Sequence, residues 1–327
     1  MKKNIAIIMG GYSSEVAISL KSGNVVYKHL NKEKYNPYRV HILKEKWVLI
    51  DDNENENPIN KHDFSAEING NHITFDAVFN AIHGTPGENG VILAYFDLIG
   101  LKHTSAPFYQ MALTFNKRDT LSVVKQYGIP AATSVYLNKG DEINTTSIIE
   151  KVGLPCFVKP NGAGSSFGIS KVYTKEELSP AIEKAYKEDN EILIESFLDG
   201  TEVSVGVIQY EGETKVLPLT EIVSDNDFFD YKAKYEGESQ EITPARLTTS
   251  QEKSVNEIAK RVYEILNMSG FSRSEYILVN DVPHFLEMNT VPGLTEASIL
   301  PQQANHAGIS LTDLFGNAIE MALKNES

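Results

Sequence analysis

The sequence predicts an α/β protein of more than one domain that opens with a doubly wound sheet. Three observations carry this expectation. The chain has 327 residues, about twice a common domain of roughly 100–200 residues. Its composition, 41% hydrophobic and 23% charged, is globular and excludes a disordered, collagenous or coiled-coil chain. It begins with a short apolar run, a glycine pair and a helical pattern, which is how a strand–turn–helix unit of a parallel sheet starts.

The elements follow in order. Residues 4–9 (NIAIIM) read as a strand buried on both faces. Gly10-Gly11 ends it, and Val16, Leu20, Gly23, Tyr27 and Leu30 recur at helical spacing. Strands are expected at 38–43, 47–50 and 76–82, with a solvated loop from Asp51 to Pro58. Residues 104–110 break the pattern and mark a boundary. A helix spans about 117–127 and stops at Gly128-Ile129-Pro130. Strand-like runs come at 132–137, 155–159, 168–173 and 191–195. Thr174 to Glu177 is a capping box, and Pro180 should kink the helix behind it or delay its start. Runs at 202–209 and 215–223 read as strands. The stretch 224–247 has no clear period, and so long a loop is usually functional. Thr249 to Glu252 reads as a second capping box, followed by an apolar face of Val255, Ile258, Ala259, Val262 and Leu266. Strands at 274–279 and 283–288 should pair antiparallel across a turn at Asp281. A last helix carries Leu311, Leu314, Phe315, Ala318, Ile319 and Ala322 on one side.

Charge and cysteine content narrow the function. Lys and Arg number 30 against 44 Asp and Glu, a net charge of −14. Such an envelope repels nucleic acid and anionic membrane. The one cysteine, Cys156, excludes an intrachain disulfide and a cysteine-rich zinc site; it sits in an apolar run and reads as a core residue. The apolar stretch after Met1-Lys2-Lys3 is too short for a signal peptide, and no run approaches a membrane span. A cytoplasmic location is expected.

Four segments could carry chemistry. Gly10-Gly11 either makes a tight structural turn or lets a ligand approach the backbone at the next helix's N-terminus. Glu15, in the first helical turn, either complements the helix dipole or holds a ligand ammonium. His83-Gly84-Thr85-Pro86-Gly87-Glu88-Asn89-Gly90 follows a buried strand, where ligands of open α/β sheets bind. A lone histidine is more often structural; the glycines around His83 favour function. The run from Val158 to Gly168 puts Lys159 at a strand end before a loop of small residues. It is either a hairpin covering a nucleotide, with backbone N–H groups around phosphate, or a plain glycine-rich hairpin. It is neither a Walker A loop nor GxGxxG. Last, period two puts Glu287 and Asn289 on one strand face, with Glu275 on the preceding strand. Such oxygens suit Mg²⁺, unless they merely decorate a solvated face. Arg273 shares that side, as a partner to the acids or as a simple salt bridge.

These blocks, in this order, resemble the D-alanine:D-alanine ligase family of the ATP-grasp superfamily. The stretches that carry the resemblance are MGGYSSE, HGTPGENG, VKPNGAGSSFGISKV, LIESFLDGTEVSV, FFDYKAKY and LEMNTVPGLTEASILP. The resemblance implies a three-domain ATP-grasp architecture, with an amino-terminal α/β domain (1–105), a central subdomain (106–198) and a carboxy-terminal subdomain with metal and acceptor sites (199–327). It implies ATP-dependent joining of two D-alanines through D-alanyl phosphate, for peptidoglycan precursors. Glu15 would hold the first ammonium, with Ser165 and Tyr235 closing a trio over it, and His83 would lie near the first carboxyl group. Lys117 and Lys159 would meet ATP phosphates, with Ser166 and Gly168 in the covering loop. Glu195, Phe197 and Leu198 would line the adenine pocket, Glu202 would meet the ribose and Lys234 the terminal phosphate. Arg273 and the Gly293 N–H would stabilise the tetrahedral oxyanion, and Ser298 would hold the second carboxylate. Glu275, Glu287 and Asn289 would bind Mg²⁺, or Mn²⁺ in its place. A homodimer is expected on the same ground.

The sequence departs from the family pattern in a few places. Glu275 stands where Asp is usual, Ala163 where an acid is common, Asn116 where Asp is common, and Val16 where a charged residue is usual. Three other readings stand beside it: a related ligase with a D-hydroxy-acid acceptor, a catalytically silent nucleotide-binding or regulatory protein, and a Rossmann dehydrogenase, which Gly10-Gly11 opposes because it does not complete GxGxxG. Tyr235 favours an amine acceptor. Lys117, Lys159, Arg273, Glu287 and Asn289 together oppose a silent protein.

Overall fold

The computed structural model describes residues 2–162, 168–224 and 239–324. Three sheets organise them. In the first, β1 (Lys3–Gly10) pairs parallel with β2 (Tyr35–Ile42) and β7 (Ala77–Asn80), and β7 pairs parallel with β8 (Lys102–His103). Ile5 to Met9 are fully buried, as a strand covered on both faces must be. Helices α1 (Val16–His29) and α2 (Val91–Leu98) lie on the β1–β2 and β7–β8 connections. Beyond β2 the sheet turns antiparallel, through β3 (Trp47–Ile50), β4 (Glu56–Asn60), β5 (Ser65–Ile68) and β6 (Asn71–Ile73). The expected solvated loop therefore stops short, because β4 begins at Glu56. Only Ile59 of β4 is buried, so its sequence carries almost no apolar signal.

The second sheet has the order β11 (Ser170–Val172), β10 (Cys156–Pro160), β12 (Glu191–Ser196), β9 (Ser134–Asn138), all antiparallel. Helices α5 (Thr145–Val152) and α6 (Lys175–Ala185) pack against it, with Val158, Ile192, Ile194, Leu178 and Ile182 in the shared core. Cys156 is fully buried there, and burial pushes its thiol up to about 11. Glu177 accepts the Thr174 N–H, completing the expected capping box, and α6 starts at Lys175 with Pro180 inside it. The proline does not delay the start.

The third sheet runs β16 (Ser239–Ile242), β15 (Thr220–Ser224), β13 (Thr201–Tyr210), β17 (Phe271–Val279), β18 (Val282–Asn289), with β14 (Glu213–Val216) also on β13. The single strand expected at 215–223 is thus two, broken at Leu217-Pro218-Leu219, where the proline supplies no N–H. Of the stretch 224–247 expected to be loop, Ser239–Ile242 is strand. The helix expected behind 249 is α7 (Thr249–Ile265), but its capping box lies one residue earlier. The Thr248 N–H donates to Gln251 Oε1 at 2.9 Å, and the Gln251 N–H donates to Thr248 Oγ1 at 3.3 Å.

Helices α3 (Phe108–Phe115) and α4 (Lys117–Gln126) pack against β18. Helices α8 (Ile299–His306) and α9 (Leu311–Lys324) pack against β13, and α9 also reaches β7 and β8. Phe79 of β7 makes edge contacts with Phe271 of β17 and Phe315 of α9, at 6.2 and 5.6 Å between ring centres. One apolar joint therefore locks the first sheet to the third.

Candidate active site

The β17–β18 hairpin sets the site's charged face. Its register pairs Arg273 with Asn289 and Glu275 with Glu287, so the four share one side of the sheet as the period-two reading expects. The ladder slips between Glu275 and Tyr276, leaving Leu286 as the extra residue of a bulge. Arg273 Nη1 donates to Glu275 Oε1 at 2.6 Å and to Ser204 Oγ of β13 at 2.8 Å. Burial disfavours the guanidinium charge, but Glu275, Glu287 and Glu241 outweigh it and hold its pKa above the ordinary value.

Two lysines converge on this face. Lys117 opens α4, whose N-cap Asn116 accepts the Asp119 N–H at 2.9 Å, and its Nζ lies 3.2 Å from Glu287 Oε2. Lys159, on β10, lies 2.8 Å from Glu195 Oε2 on β12. Burial opposes its charge; Glu195, Glu287 and Glu202 prevail and raise its pKa. A small cavity is lined by Glu88, Thr114, Phe115, Lys117, Gly162, Glu287, Met288 and Asn289. Of the residues expected at the site, Lys117, Glu287 and Asn289 thus face common space, and Lys159 lies within electrostatic reach of Glu287.

The other end of the cleft belongs to the first sheet. Glu15 is the residue capping α1 rather than part of its first turn, and its N–H donates to Ser13 Oγ at 3.2 Å. The Tyr12 N–H donates to the Thr85 carbonyl at 2.7 Å, tying the Gly10-Gly11 turn to the His83 loop. Gly84, at φ 68°, is required here: a Cβ would stand 2.8 Å from Ser13 Oγ and 3.2 Å from Glu15 Oε2. His83 is buried, its Nε2 3.0 Å from Ser22 Oγ. Burial lowers its pKa, against the pull of Glu15. Ser22 Oγ also accepts the Leu294 N–H at 3.2 Å, joining the loop after β18 to the histidine. In that loop a Cβ on Gly293 would stand 2.7 Å from Ser298 Oγ, and Ser298 caps α8 with its hydroxyl 2.8 Å from Thr295 Oγ1.

On the second sheet's side, Lys171 stands 4.3 Å from the Phe197 ring centre, and Phe197 and Leu198 follow β12. Glu202 sits on β13 within electrostatic reach of Lys159. Gly168, at φ 73°, stands just before β11. Ser165, Ser166, Lys234 and Tyr235 lie outside the described residues.

Sequence reasoning left Glu88, Ser22, Ser204 and Lys171 without a role. Glu88 Oε2 accepts the Gly84 N–H at 3.0 Å. Burial, reinforced by Glu15, pushes its carboxyl up to about 7. Its place in HGTPGENG was the available signal, as LIESFLDGTEVSV was for Ser204 and VKPNGAGSSFGISKV for Lys171; Ser22 had none.

The donor set fits Mg²⁺. Glu275, Glu287 and the Asn289 amide oxygen are hard ligands, too few for six-fold coordination, and so leave positions to water and phosphate. Among the described residues no group of three or more His, Cys, Asp or Glu converges as a metal cage. Asn289 Nδ2 is buried and has no hydrogen-bond partner among those residues, a donor left for a ligand oxygen.

Comparison with known proteins decides the family. Residues 4–106 match the model of the D-Ala D-Ala ligase N-terminus, and residues 123–320 that of its C-terminus. The chain belongs to the D-alanine–D-alanine ligase family. It is 70% identical over 321 residues to the D-alanine–D-alanine ligase of Flavobacterium johnsoniae, covering 98% of this chain and 99% of that one. Identity to the enzyme of Christiangramia forsetii is 60%, over the full length of both. Among solved structures, the VanG D-Ala:D-Ser ligase of Enterococcus faecalis superposes with a TM-score of 0.86 at 30% identity, covering 98% of this chain and 100% of that one. The D-alanine–D-alanine ligase of Bacillus anthracis complexed with ATP superposes with a TM-score of 0.80 at 27% identity over 98% of each chain. This chain therefore has the ATP-grasp fold of D-alanine–D-alanine ligases. No helix among the described residues is long and apolar enough to cross a membrane.

Proposed function

We propose that the protein joins two D-alanine molecules to D-alanyl-D-alanine at the expense of ATP, for peptidoglycan precursor synthesis. The single observation that carries the site assignment is the β17–β18 register, which puts Arg273, Glu275, Glu287 and Asn289 on one face with Lys117 against Glu287. In this reading a carboxylate oxygen of the first D-alanine attacks the terminal phosphorus of ATP and ADP leaves. The amine of the second D-alanine, having lost a proton, attacks the acyl carbon. The C–O bond to phosphate then breaks and phosphate departs.

The chain's own residues position and neutralise these groups. Lys117 and Lys159 grip phosphate oxygens, and Glu195, Phe197, Leu198 and Glu202 surround the nucleoside. Ser166, Gly168 and Lys234 complete the phosphate side. Glu15, with Ser165 and Tyr235, holds the first ammonium, and neutral His83 lies by its carboxyl group. Ser298 holds the second carboxylate. Arg273 and the Gly293 N–H take the charge that develops on the tetrahedral oxygen, where preorganised donors matter most. Glu275, Glu287 and Asn289 would hold Mg²⁺, which neutralises phosphate charge when bound. An acyl phosphate is easily hydrolysed, so excluding water from the cleft serves the reaction.

The divisions 1–105, 106–198 and 199–327 are the working domain limits of this reading. A cytoplasmic homodimer is its cellular form, checked by sizing and fractionation. The test of function is ATP-dependent phosphate release by purified protein with Mg²⁺ and D-alanine, with D-serine and D-lactate offered as competing acceptors. Release with D-alanine and formation of the dipeptide are expected. A folded protein that releases none contradicts the assignment, and preference for D-lactate moves it to an ester-forming ligase.

A further inference from the structure

One carboxylate outside the assigned roles organises both phosphate-side segments. Glu191 opens β12, and its two oxygens gather three partners. Asn161 Nδ2 donates to Oε2 at 2.8 Å, Asn116 Nδ2 reaches Oε2 at 3.4 Å, and Arg118 Nη2 lies 3.2 Å from Oε1. Asn116 and Arg118 flank Lys117. Asn161 stands two residues after Lys159 and is almost fully buried. Its own Oδ1 accepts the Arg118 N–H at 2.8 Å, and its N–H donates to the Glu191 carbonyl at 3.0 Å. The Lys117 N–H points to the Asn161 carbonyl at 3.5 Å.

The same turn holds the glycine-rich segment at both described ends. The Gly162 N–H donates to Asp189 Oδ2 at 2.6 Å, and Asp189 Oδ1 accepts the Glu191 N–H at 3.1 Å. A Cβ on Gly168 would stand 2.7 Å from Glu188 Cγ. Residues 188–191 therefore touch Gly162, Gly168 and the residues flanking Lys117.

We propose that Glu191 is a positioning residue for nucleotide binding, fixing Lys117 relative to Lys159 by clamping Asn116, Arg118 and Asn161 together. The inference rests on the proposed function, in which the two lysines grip one triphosphate. The partly exposed ion pair with Arg118 adds little to folding, while the bond to buried Asn161 also serves stability, so affinity and melting temperature are read separately. What the clamp supplies is relative placement. An error of about 1 Å in a charged contact can cost about a hundredfold in rate. The clamp acts only on the ATP side: none of its contacts touches Glu15, His83 or Ser298.

The experiment is a double-mutant cycle on the full chain, read as affinity for a non-hydrolysable ATP analogue with Mg²⁺ and as KM for ATP and for D-alanine. Glu191→Ala should weaken the analogue by about tenfold or more and raise the ATP KM alike. The D-alanine KM should stay within about twofold. Glu191→Gln keeps an acceptor for Asn161 and should recover most of the affinity, which guards against a folding defect in the alanine variant. In a Lys117→Met background the Glu191→Ala effect should largely vanish, because the clamp works through that lysine. Losses that simply add in the double mutant, or a lowered melting temperature with unchanged affinity and KM, overturn the inference alone. A wild-type chain that binds no analogue overturns the proposed function, and the inference with it.

Discussion

Ion pairs at the solvated rim of the molecule and those in the cleft use the same residue types in opposite surroundings. The side chains of Lys28 and Glu296 are 70% and 61% exposed, whereas those of Arg273 and Glu275 are 16% and 7%, and those of Lys159 and Glu195 are 17% and 4%. A solvated pair contributes about 0–1 kcal/mol and is screened by salt. A sheltered pair loses hydration that its mutual attraction only partly repays, and an apolar substitute is often as stable. The rim pairs thus need no functional reason. The cleft pairs do, and a polyanionic ligand with its metal supplies one: the cations are held charged and the carboxylates are held ready.

Mutagenesis can break or sharpen that contrast. The largest effect is expected from Arg273→Ala or Glu287→Gln, each lowering phosphate release by about 10²–10³. Lys28→Ala should leave turnover within about twofold. Equal losses in both regions would dissolve the contrast. Next comes stability. Glu195→Ala strands the Lys159 ammonium and should cost on the order of 3 kcal/mol in denaturant unfolding.

A pH experiment tests the same cleft at Glu88. Its carboxyl is raised to about 7 in the fold, so folding favours the protonated form. That contribution is complete below the ordinary carboxylate pKa and is lost as pH climbs through about 7. The stability of the wild type should therefore fall relative to Glu88→Gln between about pH 4.5 and 7. A constant difference across that window contradicts the burial argument. The smallest effect is expected at the rim, where Lys3→Ala, removing the 2.8 Å pair with Asp76, should change stability by less than about 1 kcal/mol.

What the sequence revealed follows the same division. Long segments with a continuous apolar run or stripe were legible: β1, α7 and α9. The helix α1 was legible as a helix but not in its buried face, which is Ser19, Ser22, Gly23 and Val26 rather than Val16, Leu20 and Tyr27. The charged face was legible too, because strand alternation alone aligns Glu287 with Asn289 and sets Glu275 opposite. Short helices such as α2, α3, α5 and α8, each of 8 residues, span about two turns, too short for a helical period to declare itself, and α2 is apolar at nearly every position. The ladder β4–β6 is mostly solvated and so lacks alternation. The capping box before α7 was misplaced because consecutive threonines, Thr248 and Thr249, offer two registers. Ser22 and Glu191 were silent for another reason. Their partners His83 and Asn161 lie 61 and 30 residues away, and no local spacing rule joins them.

The most direct test of the central claim follows an oxygen atom. With D-alanine carrying ¹⁸O at both carboxyl oxygens, ATP and Mg²⁺, attack of that carboxylate on the terminal phosphorus makes one labelled oxygen the bridge. When the amine expels phosphate, that oxygen leaves with it. The account predicts inorganic phosphate bearing a single ¹⁸O for each dipeptide formed. Dipeptide formation with unlabelled phosphate would contradict it, because the cleft would then be joining the amino acids without phosphorylating the first.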